Sequence, residues 1–182
     1  HIFVGRNDLS VISQQSWRDK CGVVMQEGYI FNDTIASNVA VGDEVIDKEK
    51  LVHSLKVANL LDFVVSLPLS FNTNIGMEGT GLSTGQKQRL LIARAVYKNP
   101  KFLFFDEATS ALDANNEKTI MENLNEFFEN KTVLVIAHRL STVKNAHQIV
   151  VLDQGRISEK GTHKELVNRQ GAYYELVKNQ LE

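Results

Sequence analysis

The sequence predicts an α/β fold, with a parallel sheet core and a mostly helical lobe between about residues 28 and 99. Three observations predict it. Residues 102–105 and 133–137 are short, continuous apolar runs, the pattern of strands buried on both faces. A third run follows at 149–152. The segment between the first two has a helical stripe, and a strand–helix–strand order with apolar faces implies a parallel sheet.

Taken in order, residues 1–4 read as a short strand closing at Gly5, and 21–25 as a second closing at Gln26. Asn32 and Asp33 supply caps for a short helix from Thr34, and Asp47 caps another carrying Leu51, Leu55 and Ala58 at helical spacing. That helix is expected to end before Pro68. Ser83-Thr84-Gly85-Gln86 has the S-x-x-Q form of a capping box and opens a helix to about Tyr97, stopped by Asn99-Pro100. Asp113 caps the next helix, striped by Ile120, Leu124, Phe127 and Phe128. Thr162-His163-Lys164-Glu165 repeats the capping-box form and opens the C-terminal helices.

Composition narrows the function classes. A hydrophobic content of 43% excludes global disorder, and a net charge of −2 provides no whole-chain footprint for nucleic acid. The single cysteine, Cys21, excludes an intrachain disulfide and reads as a small buried hydrophobe. No apolar run approaches the ~20 residues that span a bilayer. The first residue is His1 rather than Met, so the sequence reads as a piece of a longer chain.

In open parallel sheets, ligands sit beyond the carboxyl ends of the strands. Polar groups follow the apolar runs there: Gln26, the pair Asp106 and Glu107, and His138. Adjacent carboxylates after a buried strand suit metal-assisted phosphoryl transfer, the first holding Mg²⁺ and the second orienting water. The alternative is a solvated loop start with Asp106 as a cap. The helix beginning near Ser83 offers free amides, a hydroxyl and the positive end of its dipole to a phosphate, and Gly85 admits close backbone approach. It reads equally well as a helix that simply caps itself.

Taken together, the motifs resemble the nucleotide-binding domain of ABC transporters over nearly the whole chain. Gln26 matches the Q-loop, Leu82 to Gln86 the LSGGQ signature with Thr84 replacing a glycine, and Phe102 to Glu107 the Walker B motif. Ser110-Ala111-Leu112-Asp113 matches the D-loop, and Ala137-His138-Arg139-Leu140 the switch-histidine region. The resemblance implies a P-loop NTPase-like (ABC ATPase) core plus a helical signature subdomain. It makes the chain the C-terminal part of such a domain, with residues 28–99 as the helical subdomain and 100–182 as the α/β core. It further implies catalytic roles for Glu107 and His138. Gln26, Ser83, Thr84, Gly85, Gln86 and Asp113 would contact nucleotide, and Asp106 with Gln26 would serve the metal. ATP and Mg²⁺ are the implied cofactors. A second ATPase domain and the transmembrane domain of the same transporter are the implied partners, at the cytoplasmic face of the cell membrane.

The exporter branch fits best, because Ile30-Phe31-x-Asp33-Thr34-Ile35-x-x-Asn38 and Ala137 to Thr142 are similar to exporters with fused membrane and ATPase parts. Bacterial peptide and bacteriocin exporters are similar at this finer level. The P-loop pattern G-x-x-x-x-G-K-[ST] is absent, since Gly76 and Gly81 have its spacing but Leu82 stands where Lys is required. In the family that loop lies upstream of the segment matching His1 to Gly5, so truncation after the Walker A motif is the expectation. Thr84 would be strained if its position required a positive φ. Two other readings are a DNA-repair ATPase of the SMC type and a degenerate regulatory domain. The first lacks support in the heptad-free interval from Gln26 to Ser83.

Overall fold

The structure, a computed structural model, describes residues 1–76, 79, 81–108, 112–137 and 139–180. β1 (Phe3–Val4) and β2 (Asn7–Asp8) form an antiparallel hairpin with Gly5 at φ +62° in its turn. α1 (Gln14–Lys20) follows, capped by Ser13. Its single large apolar residue, Trp17, leaves no helical stripe in the sequence. β3 (Cys21–Val24) leads to β4 (Asp33–Thr34) and α2 (Ile35–Val39), whose cap is Thr34 rather than Asn32 or Asp33.

α3 (Lys48–Val57) is capped by Asp47, whose carboxylate accepts from the amides of Glu49 and Lys50. The single helix expected up to Pro68 is broken at Asn59, in the left-handed region at φ 50°, and resumes as α4 (Leu61–Ser66). Asparagine tolerates that conformation better than most residues. β5 (Asn74–Ile75) pairs antiparallel with β4. α5 (Thr84–Lys98) packs on α3 and buries Leu90, Leu91, Ile92 and Val96 against a layer that includes Leu51 and Leu55.

β6 (Phe102–Asp106) lies in a three-stranded sheet of order β3-β6-β7. α6 (Ala114–Phe127) connects it to β7 (Thr132–Ile136). β3 and β6 are parallel, in register from Cys21 opposite Phe102 to Val24 opposite Phe105. Gly22 is required here, because a Cβ would lie 2.7 Å from Cγ of Pro100. Val24, Leu103 and Phe105 turn toward the buried face. The opposite face is more open. Trp17 covers Phe102 and Phe104 at 4.9 and 6.5 Å between ring centroids, while Val23 and Leu134 remain over half exposed. The expectation of strands buried on both faces is therefore corrected: an apolar run reports what a strand can bury, and another element must supply the cover.

The chain divides into two compact units, His1–Leu134 and Val135–Glu182. In the second, α7 (Leu140–Val143) precedes β8 (Ile149–Asp153) and β9 (Arg156–Gly161). β8 and β9 form an antiparallel hairpin of their own, so the run at 149–152 is not the third strand of the parallel sheet. The hairpin closes at Gln154 and Gly155, with φ of 45° and 75°. Two successive positive φ values give the turn twist that matches paired strands. α8 (His163–Arg169) and α9 (Ala172–Val177) complete this unit. Its core is Leu140, Ile149, Val151, Leu166, Tyr173 and Val177.

Candidate functional site

The parallel register of β3 and β6 brings two candidate segments to one edge. Val24 is opposite Phe105, so Gln26, two residues on, and the pair Asp106 and Glu107 leave the sheet at the same carboxyl end. Gln26 is exposed, whereas Asp106 and Glu107 are half-buried. Asp106 is the last residue of β6, and Glu107 takes a left-handed backbone at φ 48°. That conformation costs a non-glycine residue on the order of 1 kcal/mol or more, and it turns the chain abruptly at the strand end. His138 lies outside the described residues, as do Ser110 and Ala111.

The first turn of α5 has a complete capping box. The Ser83 amide donates to Oε1 of Gln86 at 2.8 Å, and the Gln86 amide donates to Oγ of Ser83 at 3.2 Å. Ser83 and Thr84 are exposed, and Gly85 and Gln86 half-buried. The Ser83 oxygen is thus engaged as an acceptor, but its proton is available to a ligand. Thr84 begins the helix and has no positive φ, so the strain conditionally expected there is absent. From the buried face of the same helix, Nε2 of Gln88 donates to the Met25 carbonyl at 3.3 Å, fixing the strand end just before Gln26.

Asp113 caps α6 through the Asn116 amide at 3.0 Å and accepts from Nδ2 of Asn116 at 2.6 Å. Oδ1 of Asn116 accepts in turn from Nδ2 of Asn59 at 2.9 Å and from Nη1 of Arg89 at 3.4 Å. Nη1 of Arg89 also donates to the Asn59 carbonyl at 2.7 Å, and its Nε to the Gly85 carbonyl at 3.4 Å. Burial pulls the Arg89 guanidinium below its ordinary value, and the Asp113 carboxylate opposes that shift.

Sequence reasoning assigned no role to Arg89, Asn59, Asn116 or Arg94. Arg94 holds the segment after Gln26: its Nε donates to the Asn38 carbonyl at 2.7 Å and its Nη1 to the Tyr29 carbonyl at 2.9 Å. Fully buried Asn38 closes the same segment by accepting from the Phe31 amide at 2.8 Å and donating to the Phe31 carbonyl at 2.9 Å. The one available signal was an arginine at helical spacing on the apolar face of α5. Tyr29 and Phe31, edge to face at 5.1 Å, remain exposed on this braced segment.

A family described as ABC transporter matches residues 1–110, more than half of the chain. The chain belongs to the ABC transporter family. Its relatives include proteins named as exporters and as translocation ATP-binding proteins. It is 44% identical over 173 residues to the alpha-hemolysin translocation ATP-binding protein HlyB of Escherichia coli O157:H7, covering 95% of this chain and 24% of that protein. It is 48% identical over 179 residues to an ATP-dependent lipid A-core flippase of Saccharophagus degradans, covering 98% and 30%. ABC transporter B family member 14 of Arabidopsis thaliana is 47% identical over 176 residues, with 97% and 14% covered. A solved bacterial Atm1-family ABC exporter with ATP bound superposes with a TM-score of 0.90 at 40% identity, covering 96% of this chain and 31% of that one. The chain thus spans less than a third of the length of each of these proteins. These likenesses support the ABC ATPase fold and an export relationship, and not the SMC-type alternative.

Proposed function

We propose that this chain contributes ATP binding and hydrolysis to an ABC exporter. The observation that carries the reading is the common sheet edge at which Gln26 and the Asp106–Glu107 pair emerge. Its helical counterpart is the self-capped, exposed start of α5. ATP is held between two such domains, with the Ser83–Gln86 turn of one facing the phosphate loop of the other. The exposed Ser83 hydroxyl and the first-turn amides suit a terminal phosphate at the positive end of a 15-residue helix. This sequence does not contain the phosphate-loop pattern, so the reading requires that loop from outside these 182 residues.

The donor set fits the metal of a nucleotide. Among the described residues no group of three His, Cys, Asp or Glu converges as a cage. Mg²⁺ keeps several waters and needs only one or two carboxylates besides phosphate oxygens, so Asp106 suffices, with Gln26 on the same edge. Held there by Asp106 and Gln26, Mg²⁺ would supply neutralisation of the phosphate charge. Glu107 orients and polarises the attacking water, His138 contacts the γ-phosphate, and Asp113 borders the nucleotide. Gln26 also joins the metal site to the transmembrane domain. That domain docks on the exposed Tyr29 and Phe31, which Arg94 and Asn38 hold from behind. Among the described residues no helix is long and apolar enough to cross a membrane. The reading places this domain at the cytoplasmic face of the membrane, with residues 28–99 as the signature subdomain and 100–182 as the α/β core. A peptide is the substrate class favoured by the resemblance to peptide exporters.

The test is Glu107→Gln in the full exporter. The amide keeps the shape of the side chain and loses its charge. Steady-state hydrolysis should fall by about 100-fold or more, in the range for a positioned acid–base group, while ATP binding persists. Hydrolysis at the unaltered rate would remove Glu107 from this role.

A further inference from the structure

The hydrogen bonds around Arg89 form a continuous path between two candidate nucleotide-facing segments that are far apart in sequence. At one end is the Gly85 carbonyl, in the first turn of α5. At the other is the Asp113 carboxylate, at the cap of α6. Arg89 and Asn116 are the two intermediate side chains, and Asn59 braces both. Each link exists for a local reason. Asn59 follows the end of α3 in a left-handed conformation, so its carbonyl belongs to the electronegative end of that helix. Such an end favours a cation. Asn116, in the first turn of α6, has one amide oxygen and one amide nitrogen, and the path uses both. A half-buried guanidinium donating in three directions resists displacement, because any shift leaves donors unpaired.

We propose that Arg89 and Asn116 are positioning residues that couple the Ser83–Gln86 turn to the Asp113 cap, so that the two segments move as one body when nucleotide binds or leaves. The proposal rests on the reading of these segments as nucleotide-facing. It adds a requirement that neither motif contains alone: the start of α5 and the cap of α6 report on each other through residues that touch no ligand. Arg89 need not contact ATP for its replacement to slow turnover. Lysine keeps the charge but not the planar fork, so it cannot reach Gly85, Asn59 and Asn116 together.

Two measurements test this. Amide exchange on the 182-residue chain compares the parent with Asn116→Ala and Arg89→Lys. Replacing Asn116 should speed exchange of the Gln86 amide about tenfold, although the two residues share no bond. Unchanged Gln86 exchange in a folded Asn116→Ala chain overturns the coupling. If that variant does not fold, Asn116→Asp decides, since it keeps the acceptor for Arg89 and loses the donor to Asp113. In the full exporter, either single variant should lower kcat about tenfold with KM for ATP within about twofold, and the double variant should be no slower than the worse single one. Losses that multiply in the double variant overturn the proposal. An unaltered exporter that hydrolyses no ATP would instead sink the functional reading, and the exchange measurement would then decide the coupling by itself.

Discussion

Glu165 shows how one short contact sets a titration. Its carboxylate accepts from the Thr162 amide at 2.8 Å, and this bond, with the Thr162 side chain, holds its pKa below the ordinary 4.5. A depressed folded value means that the capping box of α8 stabilises fully above the unfolded pKa. The contribution is lost as pH falls through the folded value. An NMR titration of the Glu165 side chain should therefore give a midpoint below 4.5, and a midpoint at or above that value would contradict the box. Glu107 illustrates the opposite case, in which the residue type conceals the conformation. Nothing in Phe105-Asp106-Glu107 announces a left-handed backbone, since the geometry is imposed where the chain leaves the sheet.

Helix starts were legible because a cap is a local arrangement. Ser83 with Gln86, Asp113, and Thr162 with Glu165 each place an acceptor within reach of amides three residues away, and all three cap as the spacing predicts. Strand pairing was not legible to the same degree. β9, Arg-Ile-Ser-Glu-Lys-Gly, has two basic residues and one acidic residue among its first five and no apolar run. Its cue was Gln154-Gly155, a two-residue turn with glycine second. The core that this hairpin shares with α8 depends on Leu166, which is fully buried among Ile149, Val151 and Tyr173. Leu166→Ala should destabilise this unit by about 2–5 kcal/mol. Amide exchange across residues 149–177 is the measurement, and a loss under about 1 kcal/mol would show that the site collapses around the smaller side chain.

For the chain as a whole, the expected behaviour toward ATP follows from an energy comparison. Millimolar affinity needs about 4.1 kcal/mol at the standard state. A helix start favours an anion by ~0.3–1 kcal/mol, or up to ~2 in partly buried geometry. The Ser83–Gln86 turn therefore cannot hold a nucleotide unaided, and Asp106 and Glu107 repel a triphosphate until a cation is held between them. Calorimetric titration of the 182-residue chain with ATP and Mg²⁺ should show no binding tighter than about 1 mM. Micromolar binding would reveal a phosphate site outside the residues considered. A longer protein that contains a phosphate loop is the matching control and should bind.

The order and spacing of Gln26, Leu82 to Gln86, Asp106-Glu107 and Asp113 were enough to indicate the family, the core elements and the residues worth testing. Such signals survive in one dimension because caps, apolar runs and strand-end polar groups are short-range properties of the chain. Tertiary structure alone decided three things. It separated β8 from the parallel sheet by pairing it with a polar partner. It left Val23 and Leu134 open, because no described element covers them as Trp17 covers Phe102 and Phe104. It also joined Gly85 to Asp113 through Arg89 and Asn116, a path whose links to Asn59 and Asn116 span 30 and 27 residues. Contacts of that separation depend on how helices pack, and neither periodicity nor spacing encodes which polar side chains will then meet.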